Sequence, residues 1–138
     1  MRKPHLEREE SAALLRSRGI VPTPQRTEIA YAIFSQQGHL SADRILSRIN
    51  ADSPASSKAT VYNTLKVLLR AGLIREVIVD PTRIFYDPNV EPHHHFYVVD
   101  TGELMDIDAN AIRIDRFPEP PGGTVQEGVE IVVRVRNA

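Results

Sequence analysis

The sequence predicts an α+β chain of two modules. Three observations carry that expectation. Apolar residues recur at helical spacing through residues 6–70, two strand-like runs flank Asp80-Pro81-Thr82, and three histidines, His93-His94-His95, open a further stretch of short strand-like segments. The charge divides at about the same place. Residues 1–83 hold 13 Lys+Arg against 8 Asp+Glu, while residues 84–138 hold 4 against 10, so a net charge of −1 conceals a basic half of +5 and an acidic half of −6. A basic half joined to an acidic half fits a nucleic-acid reader linked to a module with a different task.

The elements follow in order. Residues 6–18 form a helix carrying Leu6, Ala13, Leu14 and Leu15 ahead of Gly19. Pro24 opens the second at its first position, where a missing N–H costs nothing; Ile29, Ile33 and Phe34 face inward and Gly38 stops it. Ser41 caps a third helix with Ile45, Leu46 and Ile49 inside, and the loop Asn50–Ser56 leads to a fourth, Ser57 to Arg70. In that fourth helix Val61, Leu65, Leu68 and Leu69 make one apolar stripe. Gly72 closes it, and Leu73–Val79 and Arg83–Tyr86 form a hairpin around Asp80-Pro81-Thr82.

The fourth helix leaves Lys58, Thr60, Asn63, Lys66 and Arg70 outward. Asn can read adenine bidentately, a Thr methyl can touch a thymine methyl, and cations neutralise phosphates. An ordinary amphipathic helix with a solvated face has the same periodicity. The hairpin that follows favours a winged helix-turn-helix, in which the last helix enters the major groove. Residues 1–87 are therefore the expected DNA-binding domain.

At 138 residues with 41% hydrophobic content, the chain can build a core. No apolar run approaches the roughly 20 residues that span a bilayer, and Met1–Glu10 lacks the apolar segment of a secretory signal, so a cytoplasmic location is expected, away from membranes. There is no cysteine, which excludes disulfides and thiolate metal sites; a metal would have to sit on His, Asp, Glu or Tyr. In an extended strand His93 and His95 share one face while His94 looks the other way. Such a pair can chelate one ion, and imidazole also ligates haem iron, so the motif alone does not name its ligand. Exposed histidines in a polar connection are the plainer alternative.

The chain resembles the Fur family of metal-responsive transcription regulators through Pro24-Gln25-Arg26, His39-Leu40-Ser41-Ala42, Ala59-Thr60-Val61-Tyr62-Asn63-Thr64-Leu65, Ala71-Gly72-Leu73-Ile74 and His93-His94-His95. His93-His94-His95-Phe96-Tyr97, the turn Asp100-Thr101-Gly102-Glu103-Leu104, the absence of Cys and the Val-rich ending Val129–Val135 look most like the iron response regulator (Irr) branch. The resemblance implies an N-terminal winged helix-turn-helix, a hinge at 88–92 and a small α/β dimerisation and sensing domain at 93–138. Strands are expected at 94–99, 103–107 and 129–135, a short helix at Ala109–Asp115 and a loop at Pro118–Gly123. A homodimer would read an AT-rich inverted repeat in double-stranded DNA.

Carried over residue by residue, the resemblance implies metal ligation by His39, His93 and His95, completed by Asp87 or by Tyr86, with Asp106 as a further carboxylate. These would tie the DNA-binding half to the dimerisation half, for Fe(II), Mn(II) or Zn(II). Haem would use His94 or the His93/His95 pair. A second family site lacks a complete set here, with Pro92, His94 and Arg113 at its positions. For DNA the resemblance and the helix pattern point to Thr60, Tyr62 and Asn63, with Lys58, Lys66 and Arg26 toward phosphate and Arg18 on the backbone or minor groove; Tyr62 can equally pack inward.

The leading expectation, by resemblance, is a repressor in iron and haem homeostasis that binds DNA when iron is scarce and is released by haem, with a haem-synthesis enzyme as an additional partner; the alternative is a repressor that needs a divalent metal as corepressor, and a small metal-dependent enzyme comes last. The enzyme reading lacks a nucleophile and a Gly-rich phosphate loop.

Overall fold

The computed structural model describes residues 7–35, 39–52 and 57–138, and divides into two compact units, Met1–Val90 and Glu91–Ala138. The first contains four helices and a three-stranded antiparallel sheet: α1 (Arg8–Ser17), α2 (Pro24–Phe34), β1 (Leu40–Ser41), α3 (Ala42–Asp52), α4 (Lys58–Arg70), β2 (Arg75–Asp80) and β3 (Arg83–Asp87), with strand order β1-β3-β2. The second contains β4 (His94–Val98), β5 (Glu103–Ile107), a 3-10 turn at Ala109–Ala111, and β6 (Val132–Val135), in the order β5-β4-β6. Leu6, Gly38 and residues 53–56, on which parts of the helix and loop expectations rest, lie outside the described residues.

The helices start and stop where local chemistry requires. Thr23 caps α2 by accepting the Arg26 N–H at 3.2 Å, with Pro24 in the first turn. Ser41 Oγ accepts from Arg44 N at 3.3 Å ahead of α3, and Ser57 Oγ accepts from Thr60 N at 3.2 Å ahead of α4. At the ends of α1 and α4 the chain turns through Gly19 and Gly72, both at φ +71°. The next N–H reaches back each time, Ile20 to the Leu15 carbonyl at 2.9 Å and Leu73 to the Leu68 carbonyl at 3.1 Å. These are paired Schellman endings, in which a left-handed residue lets two otherwise idle carbonyls be satisfied. Arg18 ties the two endings together by donating to the Ala71 carbonyl at 2.9 Å.

The apolar stripe of α4 is buried as its spacing requires: Val61, Leu65 and Leu68 are at most 1% exposed. Thr64 joins them and Leu69 is only half-buried. They pack in one core with Leu15, Ile29, Ile33, Phe34, Ile45, Ile49 and Leu73. The polar face of α4 is thus held by a rigid interior. Ser57→Ala is expected to cost about 1 kcal/mol by removing the cap of this helix; a urea unfolding curve at unchanged slope checks it.

One strand adds to the expected elements, and one expected helix is corrected. A two-residue strand, β1, lies ahead of α3 and pairs with β3, Leu40 opposite Tyr86 and Ser41 opposite Phe85. The expected helix Ala109–Asp115 shortens to a single turn at Ala109–Ala111, capped by Asp108 Oδ1 on the Asn110 N–H, and Ile112 is already extended. None of the turn's residues is buried, and a helix this short does not persist without an apolar face to pack. The strands expected at 94–99 and 129–135 run over His94–Val98 and Val132–Val135. Among the described residues, no helix is long and apolar enough to cross a membrane.

Candidate metal centre and nucleic-acid interface

In the first unit, β1 decides where His39 goes. Its antiparallel register sets Leu40 against Tyr86, and one further step sets His39 against Asp87. His39 Nε2 lies 2.9 Å from Asp87 Oδ2, with both side chains 3% exposed. The other carboxylate oxygen, Oδ1, accepts the backbone N–H of Asn89 at 2.9 Å, so an Asx turn fixes the rotamer of Asp87. Tyr86, the alternative at this position, belongs to the apolar core. Burial pushes its phenol up to about 12, with the charges of Glu76 and then Tyr62 adding to the effect. It stays protonated at neutral pH, and a neutral phenol is a poor metal ligand. The geometry places Asp87, not Tyr86, beside His39.

In the second unit, the β4/β5 register sets His95 opposite Asp106. Residues i and i+2 share a strand face, so His93, one residue ahead of β4, comes to the same side as His95. His93 Nε2 and His95 Nε2 both approach Asp106 Oδ1, at 3.3 and 3.4 Å, and the two rings stand 4.5 Å apart, edge to face. His95 is fully buried and His93 is 6% exposed. His93 Nδ1 is 2.7 Å from the Glu91 carbonyl, which can only accept, so Nδ1 is the donor in this contact and Nε2 is the nitrogen that faces Asp106. His94 takes the opposite face, where its Nδ1 accepts the Ile131 N–H at 3.0 Å.

The donor set fits a divalent transition metal. Two imidazole nitrogens and a carboxylate oxygen suit Zn(II), Mn(II) or Fe(II). Two donors each about 2.1 Å from a tetrahedral ion stand roughly 3.4 Å apart, close to the separations from each histidine to Asp106. A hydrogen-bonded His–carboxylate pair would usually be shorter, about 2.8 Å.

The residues expected at DNA are distributed unevenly. Thr60 and Asn63 line an open cleft of about 240 Å³ on the polar side of α4, together with Thr23, Gln25, Arg26, Thr64 and Val67. Tyr62 is 40% exposed, so its ring lies outside the core. Lys66 is exposed; Lys58 is exposed too, and its 4.0 Å approach to Asp43 is too solvated to hold it. Thr60 shares its hydroxyl with Ser57 at 3.0 Å. Arg26 spends one N–H on the Val21 carbonyl at 3.1 Å, and Arg18 spends one on Ala71. Arg18 therefore has a structural duty that its position in the sequence did not disclose. Gln25 was not singled out in the sequence, although it sits within Pro24-Gln25-Arg26, one residue inside the start of α2.

The model of the Ferric uptake regulator family matches residues 17–117. The peroxide-responsive repressor PerR of Staphylococcus aureus (strain Mu50) is 36% identical over 100 residues, which span 72% of this chain and 68% of that protein. The ferric uptake regulator from Pseudomonas aeruginosa, solved with manganese, superposes with a TM-score of 0.65 at 25% identity, covering 92% of this chain and 97% of that one. That from Francisella tularensis, solved with iron, shares the fold with a TM-score of 0.67 at 22% identity, covering 86% and 92%.

Proposed function

This chain belongs to the ferric uptake regulator family, and from that premise we propose that it is a homodimeric DNA-binding repressor for which a divalent metal, Fe(II), Mn(II) or Zn(II), is the corepressor. The observation that carries the reading is the convergence of His93 Nε2 and His95 Nε2 on Asp106 Oδ1, in a chain whose other unit displays a polar helix face. The named relatives are transcription regulators, two of them solved with manganese or iron.

In this reading the first unit is a winged helix-turn-helix, with α4 as the recognition helix and the β2–β3 hairpin as the wing. Asn63 reads a base edge, Tyr62 and the Thr60 methyl contact bases or sugars, and Lys58, Lys66 and Arg26 hold phosphates. Two copies place two such helices on an inverted repeat. The second unit carries the dimer contact and most of the sensor. His93, His95 and Asp106 would hold the ion in the second unit, and His39 and Asp87 form a further donor pair within the first, with residues 88–92 as the hinge. When bound, the ion would supply Lewis acidity and positive charge to these ligands, and ligation that favours one arrangement of the chain would shift the population toward it. Asn89 and Glu91 contribute indirectly by orienting Asp87 and His93.

Release by haem, the finer reading suggested by the Irr-like residues, rests on those residues alone. His94 has its Nδ1 engaged by Ile131, which leaves Nε2 as the nitrogen for an iron. Peroxide is the effector named for the Staphylococcus aureus relative, and a two-histidine, one-carboxylate set is typical of Fe(II) sites that react with oxygen species.

The DNA assignment has its own test. Asn63→Ala is expected to lower discrimination between an inverted-repeat site and random duplex by about 1–3 kcal/mol. Lys66→Ala should weaken both duplexes alike and reduce the slope of log K against log salt by about 1. Equal losses from both variants on both duplexes would remove this division of roles.

A further inference from the structure

We propose that the cleft between the start of α2 and α4 receives the C5-methyl group of a thymine, with Val67 as the side chain that meets it. The inference rests on the DNA-binding reading above and adds a residue that reads sequence without a hydrogen bond. Thr60, Asn63, Thr64 and Val67 stand at i, i+3, i+4 and i+7, so they share one face of α4, and all four line the cleft. The buried stripe of Val61, Leu65 and Leu68 lies on another face. Tyr62 and Lys66 are exposed but do not line the cleft.

The lining mixes polar and apolar groups in a way that suits an A·T-rich groove. Gln25 and Asn63 bring exposed carboxamides, while Thr60 already shares its hydroxyl with Ser57 Oγ at 3.0 Å. Among the described residues that line the cleft, Val67 is the one wholly apolar side chain, and it is half-buried. It packs in part against the core, yet the stripe of Val61, Leu65 and Leu68 is buried without its help. Local propensity does not account for it either, because a β-branched residue is slightly unfavourable on a helix. In the major groove thymine alone among the four bases carries a methyl group, and its partner adenine offers a donor and an acceptor that a carboxamide can pair. Asn63 and Val67, one turn apart on the same face, match these two kinds of group. A G·C pair has no methyl to bury there, so the contact discriminates between bases by apolar burial alone.

The test replaces each thymine of a labelled inverted-repeat duplex in turn by deoxyuridine, which removes the methyl and leaves every hydrogen-bonding group in place. Fluorescence anisotropy with the full-length protein, in the presence of Mn(II) and at fixed salt, reads the affinity. One thymine in each half-site should stand out, with binding about fourfold weaker for one lost methyl contact and about fifteenfold weaker for both. Val67→Ala should bind the deoxyuridine duplex much as the wild type does and should no longer distinguish it from the thymine duplex. Val67→Thr keeps the shape of the side chain and exchanges one methyl for a hydroxyl, so it carries the same comparison if the alanine variant does not fold; its preference for the methyl should fall to about twofold or less. A methyl effect that persists undiminished in these variants overturns the assignment and gives the contact to another side chain. A wild type that binds the duplex but ignores every deoxyuridine overturns the site alone, whereas a wild type that binds no duplex overturns the DNA-binding reading and the site with it.

Discussion

His95→Ala is expected to abolish the response of DNA binding to metal. Substitutions in the outer layer of a metal site typically cost about 10–100-fold in affinity, and loss of a ligand costs more, so Mn(II) or Zn(II) binding should fall by at least about a hundredfold. The loss should be selective, because the polar face of α4 stands on a core that contains none of the histidines. DNA affinity of the metal-free protein should therefore stay near the wild-type value while the increase on adding metal disappears. Since His95 is fully buried, truncation also leaves a cavity. His95→Gln, which fills more of that space and still lacks the imidazole, separates ligation from packing. Restoration of the metal response by Gln would mean that the site needs volume at this position and not a ligand.

Leu68→Ala should be the most damaging change away from the candidate site. Leu68 is fully buried on the inner face of α4, and its carbonyl receives the Leu73 N–H that closes the helix. Replacing a leucine in such a position removes transfer free energy and leaves a void, together about 2–5 kcal/mol. Domains of this size have only about 5–15 kcal/mol to lose. The expected result is a large fall in the denaturation midpoint with reduced DNA binding, and retention of Zn(II) uptake wherever the second unit stays folded. Chemical denaturation followed by circular dichroism measures the first part, and a cost under about 1 kcal/mol would mean that α4 is not anchored by this core.

How much of this was legible in the sequence depended on whether the determining interaction was local. α2 spans Pro24–Phe34 and α4 begins one residue after Ser57, because proline placement, serine caps and a period of 3.6 act within a few residues. The facing of His93 and His95 followed from strand alternation alone. What the sequence left open depends on pairing at a distance. The choice between Tyr86 and Asp87 needed β1, a strand too short to give an alternation signal, and the register that sets Leu40 against Tyr86. The helix expected at Ala109–Asp115 shortens to a single turn, none of whose residues is buried. Arg18 could not be recognised as a link to Ala71, 53 residues away, nor Ile131 as a partner of His94, since the parallel pairing of β6 with β4 leaves no trace in local composition.

The central claim, that a divalent metal increases the grip on DNA, is tested most directly by fluorescence anisotropy of a labelled AT-rich inverted-repeat duplex with metal-stripped protein. Mn(II) and haem are added in separate titrations at fixed salt, because the electrostatic part of the affinity changes steeply with ionic strength. The account predicts that Mn(II) raises affinity for the inverted repeat by about tenfold or more, within the usual range of coupling between two ligands, and raises it less for random duplex. Affinity that ignores Mn(II) and falls on adding haem would contradict it and identify a haem-released repressor instead.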